Sequence, residues 1–289
     1  MATIVDGKQI ASTILQGLKP RVESIKERGG RPALAVVLVG NDKPSHTYVK
    51  KKEKSAQEIG IDFFKFELPT GISKKSLISE IQKVQSENQL SGLIIQLPLP
   101  QPLTDDTREI VNQINQDIDV DCLTYQSLGR VMMGVNQLTP PTPSAILEIL
   151  KHHRVDLKGK YVVLIGRGNL IGRPLASMLM HEPVTLTVCG KECRDLSSYT
   201  KAADIIITGV GKSNILTGEM VKEGAVIIDA GVCFDGEKMS GDVDFETVEP
   251  KASLITPVPG GVGPITVAKL LENTVINAEA AVILDPERA

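Results

Sequence analysis

Apolar and polar positions along this chain alternate between two periods, and the switching predicts helices and strands in turn. Gly7 to Arg28 carries Ile10, Ile14, Leu18, Val22 and Ile25 at three- and four-residue spacing, the stripe of one helix. Ala33 to Val39 is a continuous apolar run, the pattern of a parallel strand covered on both faces. Pro44 to Ile59 predicts a helix, Ile61 to Leu68 a strand, Lys74 to Gln89 a helix, and Leu93 to Leu97 a strand that ends in Pro98-Leu99-Pro100. A looser stretch from Gln101 to Pro143 closes on Thr139-Pro140-Pro141-Thr142-Pro143, which reads as a linker. A helix from Ser144 to His152 follows, and a second series opens at Lys160. Its strands are Tyr161 to Ile165, Val184 to Val188, Ile205 to Thr208, Val226 to Asp229 and Leu254-Ile255, with a helix from Leu170 to Met180 after the first. A long amphipathic helix from Ile265 to Ile283 follows.

This alternation predicts two α/β domains, the second a Rossmann-like dinucleotide-binding domain with a parallel sheet, and a cleft between them. The boundaries are residues 1–139 plus the C-terminal segment 265–289 for the first domain and 140–264 for the second.

Composition narrows the class. A net charge of −3 leaves no basic footprint for nucleic acid, and 3% aromatic residues without Trp leave no base-stacking platform. No apolar run approaches the ~20 residues of a membrane span. The first eight residues, Met-Ala-Thr-Ile-Val-Asp-Gly-Lys, lack a basic region followed by an apolar one, so a cytoplasmic protein is expected. Cys122, Cys189, Cys193 and Cys233 include no CxxC pair, so reduced thiols are expected rather than zinc or thioredoxin-like chemistry. His152 and His153 read as a solvated helix face, and no metal site is expected.

Three stretches carry candidate chemistry. In the first, the strand ending at Ile165 runs into Gly166-Arg167-Gly168-Asn169-Leu170-Ile171-Gly172, a GxGxxxG turn opening a helix. Glycines there permit a tight turn and bring a pyrophosphate to free N–H groups at a helix start; a plain helix-starting turn is the alternative. An NAD site places an acid at the end of the next strand. Here that strand ends Cys189-Gly190-Lys191, and with Arg167 in the turn this points to the 2′-phosphate of NADP, although Glu192 follows directly and a solvated loop lysine at Lys191 is the alternative.

The second stretch is Ser45 to Lys54. Tyr48 and Lys52 are four residues apart and share a helix face, whereas Lys50 and Lys51 are expected to point elsewhere. A phenol and a desolvated ammonium together can hold a substrate and exchange a proton with it. A solvated lysine-rich face is the alternative. Gln96 interrupts an apolar strand near its carboxyl end, where α/β sheets bind ligands, and its amide needs partners. Asp121 ends an acidic loop and is suited to accept hydrogen bonds from a polar ring, or is simple surface-loop chemistry.

The third stretch packs three glycines and three prolines into Pro257 to Pro264. It makes a stiff, bare loop whose backbone a ligand can approach, and Pro264 fits the first turn of the helix that follows.

Taken in chain order, these residues resemble the bifunctional methylenetetrahydrofolate dehydrogenase/methenyltetrahydrofolate cyclohydrolase family over essentially the whole chain. The matches are Tyr48-x-x-x-Lys52 with Glu58-Ile-Gly-Ile61, Gln96-Leu-Pro-Leu99, Asp119-Val-Asp121, Thr142-Pro143, Gly166 through Gly172-Arg-Pro174, Gly241-Asp-Val-Asp244 and Pro257 to Pro264. The resemblance implies oxidation of 5,10-methylenetetrahydrofolate with NADP⁺ and hydrolysis of the methenyl product to 10-formyltetrahydrofolate. It implies Lys52 as the key hydrolase residue, assisted by Tyr48 and Gln96. Asp121 and Tyr48 would hold the pterin, with Pro259, Gly260 and Gly261 also at the substrate. Gly166, Arg167, Gly168, Asn169, Ile171, Gly172, Lys191 and Val232 would hold the cofactor, and the protein would be a homodimer. The sequence departs from the family's usual residues at Cys122 (usually Gly), Pro141 (Cys), Ala145 (Gly), Gly168 (Ser), Gly190-Lys191 (His-Ser) and Cys193 (Thr). An unrelated two-domain dehydrogenase and a non-catalytic folate- or nucleotide-binding protein are the competing readings.

Overall fold

The long apolar runs become buried strands, and their amphipathic neighbours become the helices that cover them. The computed structural model describes residues 2–135, 137–236 and 238–284. In chain order the elements begin β1 (Thr3–Ile4), α1 (Gly7–Glu27), β2 (Ala33–Val39), α2 (Lys43–Glu58), β3 (Asp62–Leu68), α3 (Lys74–Glu87) and β4 (Gly92–Ile95). Next come α4 (Thr107–Val111), α5 (Tyr125–Met133), α6 (Pro141–His152), β5 (Tyr161–Ile165), α7 (Gly172–Leu179), β6 (Thr185–Cys189), α8 (Leu196–Thr200), β7 (Ile205–Thr208) and β8 (Val226–Asp229). The last are β9 (Cys233–Asp235), β10 (Lys238–Ser240), α9 (Phe245–Val248), β11 (Leu254–Ile255) and α10 (Val262–Leu284).

Two compact units form. Within the described residues, one comprises 12–130, 137–141 and 267–284 and holds a three-stranded parallel sheet of order β3-β2-β4. All seven residues of β2 are buried. Leu34, Val36 and Leu38 face Leu18 and Val22 of α1, Val49 of α2, and Leu270, Leu271 and Val275 of α10. Ala35, Val37 and Val39 face Leu77 and Ile81 of α3 and Ile110 of α4. Each such buried Leu or Ile contributes roughly 1.5–3 kcal/mol relative to exposure. Asp42 caps α2 by accepting from the Ser45 backbone N–H at 2.9 Å, which fixes where that helix starts and so which face Tyr48 and Lys52 occupy.

The other unit comprises 2–11, 131–135 and 142–266 and holds a six-stranded sheet of order β1-β11-β8-β7-β5-β6, with every neighbouring pair parallel. The chain goes from β5 through α7 to β6 on one side, then places β7 and β8 on the other. The order therefore reverses at β5, the position where open α/β sheets form a ligand crevice at the carboxyl ends of their strands.

The structure differs from the sequence boundaries at several points. Residues 2–11 and 131–135 cluster with the six-stranded unit rather than with the domain read as 1–139. Of the segment 265–289, residues 267–284 do pack in the three-stranded unit, and 285–289 lie outside the described residues. Pro141 and Pro143 are not linker but the opening of α6, where a missing N–H costs nothing. α7 begins at Gly172, two residues later than the periodicity predicts, because Leu170 remains exposed in the loop. β1 and the β9–β10 hairpin are two and three residues per strand, too short for a period to register.

Candidate active site

The three-stranded unit gathers Lys52, Gln96 and Asp121 from three separate segments. Lys52 projects from α2. Gln96 follows β4 directly, its backbone N–H continuing the ladder to the Val37 carbonyl. Asp121 comes from a segment that runs beside β4 through a parallel bridge between Leu93 and Asp119. The Lys52 Nζ donates to Gln96 Oε1 at 2.9 Å, and Gln96 Nε2 donates to the Leu97 carbonyl at 2.8 Å, so both ends of the amide are oriented. Lys52, Gln96 and Asp121 each keep part of their surface accessible, although the surrounding protein desolvates the two charged ends.

Desolvation lowers the Lys52 pKa, and the nearby Asp121 carboxylate opposes that shift. Desolvation pushes Asp121 up to about 6, against the pull of Lys52 and with a further push from Asp119. Lowering the lysine and raising the carboxyl brings the two groups closer in proton affinity, which favours proton exchange at this site. Asp119 has a different role. Buried, it accepts from the backbone N–H of Leu123 at 3.2 Å and of Thr124 at 2.9 Å, and so shapes the turn after Asp121. Cys122 sits in that turn at φ 55°, which explains why glycine suits this position.

Tyr48 lies one turn before Lys52 on α2 and is half-buried, and desolvation raises its pKa. One expectation needs correcting here. Lys51 does not point elsewhere, since its ammonium stands 5.5 Å from the Tyr48 ring centroid. A cation over the ring face steadies the phenol.

Sequence reasoning missed the groups that hold the Asp121 segment. Asn273, buried on α10, donates from Nδ2 to the carbonyls of Val120 and Thr139, both at 2.8 Å. One turn later, Asn277 donates to the carbonyls of Asp117 at 2.8 Å and Ser91 at 3.1 Å. The sequence signal is two Asn four apart, on one face of an amphipathic helix.

In the six-stranded unit the glycine turn is built as its spacing implies. Gly166 has φ 114°, and a Cβ there would stand 2.9 Å from the Gly209 carbonyl oxygen. A Cβ on Gly172 would collide with the Gly166 carbonyl, so the start of α7 packs directly on the turn. Gly168 faces open space, so a side chain there would meet nothing. Arg167, Gly168 and Asn169 are exposed along the turn, and Ile171 packs against Gly209. α7 has no side-chain cap at its N-terminus, so its opening suits an anion. Lys191 and Val232 are exposed beyond β6 and β8.

Two buried carboxylates brace this end of the sheet, and they too escaped sequence reasoning. Asp229 accepts from the Thr208 hydroxyl at 3.0 Å and from the N–H groups of Gly231 and Val243, both at 2.9 Å. Asp242 accepts from the N–H groups of Val210 and Lys212, both at 2.8 Å, fixing the loop after β7. The third glycine-rich stretch, Pro257 to Pro264, belongs to this same unit. Gly260 sits at φ 112° with open space around it, Gly7 donates its N–H to the Gly260 carbonyl at 2.9 Å, and α10 starts at Val262. Pro264 therefore lies in a first helical turn.

A parallel sheet whose order reverses beside a glycine turn at a helix start is the arrangement of a dinucleotide-binding domain. Residues 140–282 match the NAD(P)-binding domain of tetrahydrofolate dehydrogenase/cyclohydrolase, and residues 5–121 match the catalytic domain of the same family. The chain belongs to the tetrahydrofolate dehydrogenase/cyclohydrolase family. It is 44% identical over 274 residues to the bifunctional protein FolD of Nautilia profundicola, covering 94% of this chain and 96% of that one. The crystal structure of the bifunctional FolD enzyme from Campylobacter jejuni superposes with a TM-score of 0.92 at 40% identity, covering 97% of this chain and all of that one. The Trypanosoma brucei dehydrogenase-cyclohydrolase, solved with NADP and an inhibitor, gives a TM-score of 0.92 at 34% identity over 97% and 98% of the two chains.

Proposed function

We propose that this enzyme of one-carbon metabolism oxidises 5,10-methylenetetrahydrofolate to 5,10-methenyltetrahydrofolate with NADP⁺, then hydrolyses that cation to 10-formyltetrahydrofolate through Lys52. The observation that carries the reading is the desolvated Lys52 held by Gln96 at 2.9 Å beside Asp121. In the hydrolytic step, water adds to the methenyl carbon and loses a proton; the bond from that carbon to N5 then breaks, the adduct's hydroxyl giving up its proton and N5 gaining one, which leaves the formyl group on N10. Lys52 in its neutral form takes the proton that the water loses, and Gln96 keeps Nζ aimed. Asp121 accepts hydrogen bonds from the polar edge of the pterin, and Tyr48 stacks against the ring.

When bound, NADP⁺ takes up the hydride lost from the methylene carbon. The chain needs no dedicated base for that step, because positioning carries it. Gly166, Gly168, Asn169, Ile171 and Gly172 would hold the pyrophosphate side, Arg167 and Lys191 would serve the 2′-phosphate, and Val232 would border the cofactor. Pro259, Gly260 and Gly261 are assigned to the substrate on family resemblance. The same resemblance supports a homodimer and a cytoplasmic location. Among the described residues, no helix is long and apolar enough to cross a membrane.

Two absorbance assays on purified protein test the reading, one following NADPH formation and the other decay of the methenyl species. Absence of both activities refutes it. Reduction of NADP⁺ with a small hydroxy acid instead would favour an unrelated dehydrogenase. Sedimentation velocity tests the dimer.

A further inference from the structure

The tip of β6 carries a feature that the NADP assignment does not absorb. Arg167 Nη2 donates to Glu192 Oε2 at 2.6 Å, so the arginine assigned to the 2′-phosphate already has an anion of its own chain. Both side chains are open to solvent, 61% for Arg167 and 59% for Glu192. The arginine is laid across the backbone of Gly190, where a Cβ would stand 2.7 Å from its Nε. The second oxygen of Glu192, Oε1, lies 4.0 Å from Lys191 Nζ, beyond hydrogen-bond distance, and the Lys191 side chain is 90% exposed. Arg167, Glu192 and Gly190 line one recess of about 290 Å³ with Val188, Cys189 and Tyr199. In a doubly wound sheet the end of this second strand is where the cofactor's adenosine ribose sits. An acid there serves a 2′-hydroxyl and an arginine there serves a 2′-phosphate.

We propose that Glu192 makes this subsite accept NAD⁺ as well as NADP⁺, by holding Arg167 and presenting Oε1 to a ribose 2′-hydroxyl. The inference rests on reading the glycine turn as the cofactor site. A 2′-phosphate entering the recess must take Arg167 from Glu192 and then remain close to that carboxylate. Its two negative charges gain from the guanidinium and lose to the glutamate. A 2′-hydroxyl meets no such repulsion and donates to an acceptor already in place. The pair is solvent-exposed, so its effect is modest and falls with added salt.

The test is direct binding, read from the fluorescence of NADPH and NADH titrated separately into wild type, Glu192→Gln and Glu192→Ala. Both reduced cofactors should bind the wild type, with dissociation constants within about tenfold of each other. Glu192→Gln removes the charge and should tighten NADPH by about five- to tenfold, a gain that shrinks in 1 M salt. Glu192→Ala also removes the acceptor, and it should tighten NADPH while weakening NADH by about threefold. A wild type that binds NADPH but not NADH overturns the proposal and leaves the cofactor reading standing. So do variants that shift both cofactors equally, or neither. A wild type that binds neither overturns the cofactor reading itself.

Discussion

The two ligand-facing regions of this protein solve opposite problems. The Lys52 site is desolvated, and Lys52 is bonded to Gln96, and Gln96 to the Leu97 carbonyl, before any substrate arrives. The glycine turn is open, with Arg167, Gly168 and Asn169 exposed and its arginine engaged by a surface glutamate. Desolvation shifts pKa values and so supplies proton chemistry. Openness leaves charges screened and so supplies tunable binding. Substitutions in the first region should therefore change rate and pH dependence, and those in the second should change cofactor affinity.

The largest effect should follow Lys52→Met, which removes the proton-exchanging group while filling the same space. Methenyl hydrolysis should fall by at least ~100-fold with the unfolding transition retained. Full hydrolysis by this variant would remove the chemical half of the contrast. The same substitution sharpens it through Asp121, which Lys52 holds down. By ¹³C carboxyl NMR, Asp121 should titrate at about 6 in the wild type and higher in Lys52→Met. Its folded pKa is raised, so the stability tied to its protonated form is complete below about pH 4 and is lost as pH rises through about 6. In Lys52→Met that loss should move to higher pH, and a midpoint that stays or drops would break the coupling.

Asn273→Ala strips two carbonyls of their partners and should destabilise the fold by about 2–4 kcal/mol in urea unfolding. If stability does not change, the desolvated site does not depend on its α10 clamp. In the open region, Gly172→Ala forces a Cβ into the Gly166 carbonyl. It should weaken NADPH binding by about tenfold, with a stability loss of about 1–3 kcal/mol. Gly168→Ser meets nothing, and its stability should stay within about 0.5 kcal/mol of wild type. A large loss there would show the turn to be more constrained than its open surroundings indicate.

The sequence displays this contrast unevenly. Apart from the two-residue β1, the strands of both sheets were legible, most clearly where a buried parallel strand needs an unbroken apolar run, as in Ala33–Val39 and Ile205–Thr208. Lys52, Gln96 and Asp121 were legible as residue types, and the bond between the first two fits that reading. What holds them was not legible. The partners of Asn273 are 153 and 134 residues away, so no local pattern records them; in the other unit, the partners of Asp242 are likewise 32 and 30 residues away. The Arg167–Glu192 pair was hidden for the same reason. Its two members are plainly visible, but only folding shows that they meet.

One further consequence follows from the contact between Gly7 and the loop at Gly260. Thr3 and Ile4 pair with Leu254 and Ile255, and the start of α1 is fastened to the loop from which α10 departs. During synthesis the edge of the six-stranded sheet must wait, unpaired, until residue 255 and the loop beyond it have emerged from the ribosome. A chain stalled before that point holds a nearly complete dinucleotide fold with an open strand edge, the kind of surface that invites association with other chains. The seam between residues 3–7 and 254–261 is thus the last joint of that unit to close.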